Sequence, residues 1–515
     1  MFKYLVERSE VLELGNLGQT GWKSLVPDII PVEDEGMDNL IKLYLYEWTD
    51  IECLIDSNQR HNCNMTVFLN LIELHLDNVD VKELCWGATP SGFLEKLQIL
   101  KLKGCRKLQN IFLDETLKLP HLRVLKLKDC TMFQLAIFKP SIAQSLGQLE
   151  ELVVEGFAEL KSLIADKSSE EEMGVVHDQK GDGSLFPALK SLQIAECGKL
   201  EKVSSFLLAG DLPNLTDLYI DDCAELKYIF SEYRGQVVQQ EIKMLPSLAE
   251  VRLFRVPSFI NIFQKCKRYV LRPPPQVSKE DSKERPKNFK MSSFSWAHRC
   301  CFLGPTTDTN IGVSNVTLLK EPVYNGIVIE IYDHMIETEC LMRQPLSLQN
   351  IRQMMLVGCS KLKSLFSVSI ATTIMLEYLY VEDCEELKHI ITNEAEDDDV
   401  HLNCTSIFPK LQSLYVHNCN KLEFIFPSTL SGGLQELKSI HILGADELKY
   451  VFGKYDEEEC LSNENESNEP HIHLPALESL DLYYVQNIIS IGIKKRQPEC
   501  PSLQIVEAPK IVESD

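Results

Sequence analysis

One apolar skeleton recurs along this chain and constrains its fold more than any other feature. Residues 411–426 read LQSLYVHNCNKLEFIF, which reduces to L-x-x-L-x-V-x-x-C-x-x-L-x-x-I-F. The skeleton returns in full at 97–112, 215–230, 351–366 and 376–391. Partial or looser copies begin at Leu40, Leu71, Leu122, Leu149, Leu189, Leu248, Leu437 and Leu477. Self-similarity at a nearly fixed period is the signature of a repeat architecture.

Each unit is too small to fold alone. The L-x-L alternation predicts a short strand with one buried face, and parallel stacking of neighbouring units buries that face in a solenoid. The L-x-x-L-x-L-x-x-C spacing is the leucine-rich-repeat signature. Thirteen such starts therefore predict an α/β-repeat, leucine-rich-repeat solenoid. This is a horseshoe with a parallel β-sheet on the concave face and short helical or irregular convex segments.

Two further columns follow from the repeat. Apolar–proline steps such as Phe186-Pro187 are expected at the entry to strands, because proline fixes φ and lacks a donor that would be unpaired there. A second inward-facing apolar column is expected from the pairs Ile111-Phe112, Ile229-Phe230, Leu365-Phe366, Ile425-Phe426 and Val451-Phe452. These pairs follow the strands, in the convex segments.

Repeat spacing divides the chain into four segments. Residues 1–39 form a degenerate N-terminal repeat, 40–263 a first block, 264–345 an atypical insert, and 346–515 a second block with an acidic tail. The insert contains three consecutive prolines and a polar, locally basic run, which favours a partly disordered linker; the alternative is a gene-model artefact. No polar cap precedes the first repeat, so we expect the chain to begin inside a longer array or beside a missing domain.

Seven of the 17 cysteines occupy the ninth position of the repeat: Cys105, Cys130, Cys197, Cys223, Cys359, Cys384 and Cys419. Other repeats place Trp48, Val79, Phe157 or Val256 there. A column that exchanges cysteine for apolar residues indicates buried packing, where a free thiol acts as a small hydrophobe and a weak donor to turn backbone. So many reduced thiols predict an intracellular compartment, the cytoplasm or alternatively the nucleus.

Composition and motifs exclude several function classes. The net charge of −24 argues against nucleic-acid binding, which requires lysine and arginine. No run of about 18 apolar residues is present, so no membrane span is predicted. The sequence contains no G-x-x-x-x-G-K-[ST], G-x-G-x-x-G, H-E-x-x-H or G-x-S-x-G motif. We therefore predict no enzyme, no cofactor and no metal site.

The predicted functional surface is the solvent face of the strands, at positions three, five and seven of each repeat. The candidate partner-binding residues are Tyr44, Tyr46, Lys101, Lys103, Lys126, Lys128, Tyr219, Arg252, Tyr378, Tyr380, Tyr415 and Tyr483. Tyrosine is enriched at binding hot spots, although it also favours strands for its own sake. The four lysines should form one patch on adjacent strands, whose repulsion an acidic partner or a rim loop of the chain would relieve.

The repeats also resemble a known family. The pattern L-x-x-L-x-[LIV]-x-x-C-x-x-L-[KE]-x-[IVL]-[FI], with phrases such as 408-FPKL-411, 222-DCAELK-227 and 384-CEELK-388, resembles the leucine-rich repeats of plant coiled-coil nucleotide-binding (NLR, NBS-LRR) disease resistance proteins. The resemblance covers about 40–263 and 346–505. It implies plant defence, with the repeats recognising a pathogen effector or a guarded host protein and restraining a nucleotide-binding domain.

The chain departs from that family in one respect, since it carries no coiled coil and no phosphate-binding loop. It therefore resembles the sensor half of a receptor, and a nucleotide-binding domain in a longer chain is a second candidate partner. Two other interpretations stay open from the sequence. One is a non-enzymatic adaptor or scaffold of the F-box leucine-rich-repeat type. The other is a truncated receptor fragment without independent function.

Overall fold

The computed structural model describes most of both repeat blocks. The described residues are 8–16, 21–30, 37, 39–59, 67–108, 119–130, 135–165, 184–204, 212–230, 245–263, 349–392, 407–428, 434–453, 472–492 and 498–507, with the backbone of three further strands. The chain forms two compact units, Met1–Cys266 with Glu337–Asp515, and Lys267–Ile336. Strands are numbered β1 to β29 in chain order. In the second unit, β17 (Tyr269–Arg272) pairs antiparallel with β18 (Val328–Ile331).

Fifteen parallel strands, in chain order, form one sheet in the first unit. They are β1 Val11–Gly15, β3 Lys42–Trp48, β5 Glu73–Val79, β7 Ile99–Lys103, β8 Val124–Lys128, β10 Glu151–Glu155, β12 Ser191–Ala195, β13 Asp217–Asp221, β15 Glu250–Phe254, β20 Gln353–Val357, β22 Tyr378–Glu382, β24 Ser413–His417, β26 Ser439–Leu443, β28 Ser479–Tyr483 and β29 Ile505–Glu507. Every predicted repeat start leads into one of these strands. The predicted leucine-rich-repeat solenoid is confirmed.

The segments on the opposite side are mainly extended. They form short parallel sheets of β2 Ser24–Val26, β4 Cys53–Asp56 and β6 Glu83–Trp86; of β9 Ala136–Phe138 and β11 Ser162–Ile164; of β14 Tyr228–Phe230 and β16 Asn261–Phe263; and of β19 Cys340–Met342, β21 Ser364–Ser367, β23 His389–Thr392, β25 Phe424–Pro427 and β27 Tyr450–Gly453. The described helices are short: Pro140–Ser145, Val368–Ala371 and the 3₁₀ turn Ser57–Gln59. Because the repeats stack at strand spacing, equivalent β-branched and aromatic segments can pair with one another.

The core lies between the two sets of strands. Strand β24 alternates half-buried and buried residues, with Leu414 and Val416 facing inward at 0% exposure. The second apolar column is buried at Ile229, Leu365-Phe366, Ile425-Phe426 and Val451-Phe452, while Ile111-Phe112 lies outside the described residues. The predicted inward packing of these pairs is therefore confirmed where they are described.

The cysteine column is buried, as predicted. All seven thiols at the ninth position have 0% exposure, and none is in a disulfide. Six of the seven, all but Cys359, donate to the carbonyl two residues earlier, at 3.2 Å for Cys197 to Ala195 and 3.3 Å for Cys419 to His417. These thiols thus fill core volume and donate to the backbone at the end of the strand.

We expect these seven thiols to resist alkylation in the folded protein. Complete burial keeps the reagent away from all seven thiols. At Cys384, hydrogen bonding to the Cys359 thiol, together with burial, also raises the pKa and so lowers the fraction of the reactive thiolate. Peptide mapping after iodoacetamide treatment should find the column labelled only in denaturant. Half-buried Cys500, whose pKa is raised by burial alone, is the internal control and should react first. Labelling of Cys384 as fast as Cys500 would contradict the packing.

The turn entering a repeat links it to the previous one. Phe186 adopts φ +44°, Pro187 follows it, and the Leu189 N–H closes the turn on the Phe186 carbonyl at 3.1 Å. The side chain just before the next repeat leucine then reaches back, since Asn214 Nδ2 donates to the Pro187 carbonyl at 2.7 Å. The proline therefore opens the turn that leads into the strand and offers its carbonyl to the neighbouring repeat.

The turn after each strand contains a left-handed residue at the eighth repeat position, a column that our sequence analysis did not identify. The non-glycine members are Glu47, Asn78, Asp129, Glu196, Asp222, Arg255, Asp383, Asn418 and Tyr484. The same position is glycine at Gly104, where φ is +63° and a Cβ would lie 2.1 Å from Asn78 Oδ1. Glycine is favoured there because it adopts a positive φ without strain, and because a Cβ would displace the asparagine side chain of the previous repeat.

The two repeat blocks stack directly on each other. Strand β15 pairs with β20 in register from Glu250↔Gln353 to Phe254↔Val357. The link between repeats is also kept, because Asn350 Nδ2 donates to the Pro246 carbonyl at 2.6 Å. The parallel sheet therefore continues directly from β15 to β20. The bounds predicted for the four segments remain a prediction.

Candidate partner-binding face

We call the solvent face of the fifteen-stranded sheet the concave face, after its position in leucine-rich repeats. Positions three, five and seven of each repeat coincide with the first, third and fifth residues of the strands. In β22 the burial alternates accordingly, with Tyr378, Tyr380 and Glu382 half-buried around two buried residues. The structure places all twelve candidate residues on this face, in separate groups along the sheet.

Near the N-terminus, Tyr44 and Tyr46 are held by their neighbours. The Tyr46 ring covers Gly15, where a Cβ would lie 1.9 Å from the ring. Tyr44 packs edge-on against His75 with 4.6 Å between ring centroids. Burial, followed by the Glu73 carboxylate, raises the pKa of Tyr44. Both rings are thus packed against neighbouring residues, and the ring of Tyr44 lies beside a carboxylate.

The four predicted lysines do form a patch, because Lys101 lies opposite Lys126 and Lys103 opposite Lys128 on β7 and β8. Carboxylates of the two flanking strands pair with every one of them. The N–O distances are 3.7 Å for Lys101–Glu73, 3.3 Å for Lys103–Asp77, 2.7 Å for Lys126–Glu151 and 2.5 Å for Lys128–Glu155. The sheet itself therefore relieves the repulsion that we expected a partner or a rim loop to relieve. On this part of the face, the lysines of β7 and β8 lie between the carboxylates of β5 on one side and those of β10 on the other.

The middle of the face combines Tyr219 and Arg252 on neighbouring strands. The Tyr219 hydroxyl donates to Asp221 at 3.1 Å, and its ring lies 5.6 Å from that of Phe254. Burial and this hydrogen bond raise the pKa of Tyr219. Arg252 is paired with Glu250 of its own strand. Both predicted residues are thus held by carboxylates.

The C-terminal part of the face contains a cluster of rings, which we call the aromatic–histidine patch: Tyr378, Tyr380, Tyr415, His417 and His441. Tyr415 is its centre. The ring centroids lie 5.4 Å from Tyr378, 6.1 Å from Tyr380 and 4.5 Å from His441, which stacks on Tyr415 within 9°.

Hydrogen bonds fix both edges of the aromatic–histidine patch. The Tyr380 hydroxyl donates to Glu382 Oε2 at 2.7 Å and lies 3.2 Å from His417 Nδ1. His441 Nδ1 lies 2.5 Å from Asp481 Oδ2, and Ser479 donates to the same carboxylate at 3.1 Å. Burial and the Glu382 hydrogen bond raise the pKa of Tyr380. Four adjacent strands thus contribute to one ordered cluster.

Sequence reasoning identified the three tyrosines of this patch but not His441 or the role of Asp481. The repeat beginning at Leu437 is a loose copy, yet its fifth position is His441 and would have placed it beside Tyr415. Tyr483, on the last of the four strands, is 41% exposed. Aligning the strands at the same repeat positions would have shown that these residues are neighbours on the sheet.

Neither a metal cluster nor a membrane helix occurs in the described part of the chain. Over those residues, no group of three His, Cys, Asp or Glu side chains is placed to hold a metal ion. The same residues contain no helix long and apolar enough to cross a membrane.

The repeats match a known family. A profile described as plant disease resistance protein RPS2-like, leucine-rich repeats, matches residues 159–272 and 385–511. These two segments are similar to the RPS2-like repeats. The RPS2-like segments include strands of both blocks and the whole aromatic–histidine patch except its first two tyrosines. The resemblance inferred from the repeat phrases is confirmed.

Solved leucine-rich-repeat structures show low similarity to this chain. TLR13 in complex with ssRNA13 is 14% identical with a TM-score of 0.23, and the match covers 87% of this chain and 61% of TLR13. A leucine-rich repeat protein from Bacteroides ovatus is 13% identical (TM-score 0.20, covering 82% and 84%). The plant peptide hormone receptor RGFR1 in complex with RGF2 is 12% identical with a TM-score of 0.19, and the match covers 97% of this chain and 82% of RGFR1. The chain thus spans about three fifths of the TLR13 chain. No curated protein gave a significant sequence match.

Proposed function

We propose that this chain is a protein-recognition module of plant immunity, which senses a pathogen effector or a guarded host protein through its concave face. The observation that carries the proposal is an RPS2-like repeat array whose concave face presents ordered tyrosines. Tyrosine supplies a large contact area at low entropic cost, particularly when its ring is already held. The proposal gives the chain no catalytic role.

The proposal also concerns compartment and context. The buried, reduced cysteine column supports the cytoplasm, where thiols stay reduced. In a longer protein, a nucleotide-binding domain would be the second partner, restrained by the repeats until the first partner binds. We infer that the same concave face then serves both recognition and restraint.

The test is capture of partners from pathogen-challenged and unchallenged plant tissue on the full chain and its variants. Replacing the concave tyrosines Tyr44, Tyr219 and Tyr378 by serine, or the four concave lysines by glutamine, should lower recovery of a specific partner by about 10-fold or more. Capture that persists unchanged in every concave variant would overturn the proposal.

Matched controls separate binding from folding. Lys107, Lys161, Lys199 and Lys421 are also ion-paired between repeats, at 42–55% side-chain exposure, but lie outside the sheet. Their replacement by glutamine should leave capture unchanged. Simple charge reversal of the concave lysines would create repulsion with paired carboxylates. The exchange of Lys126 with Glu151 keeps the ion pair while inverting the local field.

A further inference from the structure

The aromatic–histidine patch differs in charge from the rest of the concave face. Its solvent-facing positions on β22, β24, β26 and β28 carry no lysine or arginine. A carboxylate lies at each edge of the patch, that of Glu382 on one side and that of Asp481 on the other. The lysines Lys101 and Lys126, by contrast, lie on distant strands β7 and β8. A cationic group approaching the patch therefore meets negative charge and half-buried tyrosine rings, with no lysine or arginine among the solvent-facing residues of these four strands.

The rings are held in place before any partner arrives. Tyr380 is fixed through its hydroxyl by Glu382, and His441 is fixed by Asp481. Tyr415 is held between them by contacts with Tyr378, Tyr380 and His441. A preorganised aromatic surface loses little side-chain entropy on binding, which is the property of a hot spot. At a strand spacing of about 4.8 Å, the four strands span roughly 15 Å.

We propose that the aromatic–histidine patch binds an arginine-bearing segment of the protein partner. A guanidinium group stacks on tyrosine rings and pairs bidentately with a carboxylate at the same time. The patch offers both features, with Tyr415 beside Tyr378 and Tyr380, and Glu382 at the edge of the cluster. An acidic segment would be repelled by Glu382 and Asp481 and would instead favour the lysines of β7 and β8. This inference rests on the proposed protein-recognition function and specifies the chemistry of the partner.

The test uses a random-peptide phage library selected on the full chain. We expect enriched peptides to contain arginine, and recovery to fall about 10-fold or more with Tyr415→Ser or Glu382→Gln. Tyr415→Phe keeps the ring and should retain binding, which guards against loss through misfolding. Lys199→Gln with Lys421→Gln, two ion-paired lysines outside the sheet, is the matched control and should also retain it.

The alternative outcomes are distinguishable. Enrichment of acidic peptides that are lost with Lys101→Gln and Lys126→Gln would overturn the arginine proposal while supporting concave-face recognition. Arginine peptides that bind equally well to the native chain, Tyr415→Ser and Glu382→Gln would overturn the assignment to the patch. Failure of the folded native chain to enrich any peptide that depends on a concave residue would overturn both proposals.

Discussion

Replacement of Phe408 by alanine is expected to lower the free energy of unfolding of the second repeat block by about 3–5 kcal/mol. The side chain is fully buried, and its ring lies 5.2 Å from Phe366 and 6.4 Å from Phe426. Phe426 in turn lies 5.5 Å from Phe452. Alanine would leave a cavity in a row of rings that connects successive repeats, and close packing prevents the surroundings from filling it.

Urea unfolding and hydrogen exchange would measure this effect and its range. Because each repeat contacts only its neighbours, lost protection should be confined to the strands near Phe408 and spare those near the N-terminus. Tyr484→Ala is the matched control, since both residues have positive φ (+44° and +53°) while Tyr484 is 73% exposed. The Tyr484→Ala substitution should lower the free energy of unfolding by less than about 0.5 kcal/mol. Equal effects would show that the Phe408 ring is not packed.

The second large effect is expected at the junction of the blocks, where Val251→Asp should disrupt the stacking of β15 on β20. Val251 is fully buried and lies opposite Leu218 on one side and Met354 on the other. A carboxylate there would be buried without a partner. We therefore expect the free energy of unfolding to fall by more than about 4 kcal/mol. The two blocks should then unfold in separate transitions in urea, and limited proteolysis should cut between them.

Leu12→Asp provides the matched control for the junction variant. Leu12 occupies the same repeat position in β1, the first strand of the sheet among the described residues, which pairs with β3. Its replacement should release the first strand and leave the remaining array protected in hydrogen exchange. If Val251→Asp is equally local, the β15–β20 ladder does not couple the two blocks.

Most of the fold could be predicted from the spacing of apolar residues within one repeat. Strand positions follow from alternation within the repeat, as in β24, where the spacing of Leu411, Leu414 and Val416 fixes which residues face inward. The burial of Cys419 and of Ile425-Phe426 follows from the same alternation, because one register sets the direction of every side chain in the unit. The predicted exposure of Tyr380 and Tyr415 rests on that register as well.

Other features depended on which repeat lies beside which. The convex segments pair as strands such as β21 and β23, because stacking brings extended segments to hydrogen-bonding distance, which no single repeat reveals. The space beside Gly104 is occupied by the side chain of Asn78 from the preceding repeat. Neither feature is visible in the composition of one unit.

The sequence by itself determined the repeat, its strands, its buried column and the residues of the concave face, because these depend on spacing within about 25 residues. Only the tertiary structure decided which charged groups and rings are neighbours on that face. Lys126 finds Glu151, and Tyr415 stacks on His441, because parallel stacking fixes lateral neighbours across loops of unequal length. The stacking of β15 on β20 across the long insert belongs to the same class, since pairing energy is gained between strands whatever the length of chain between them.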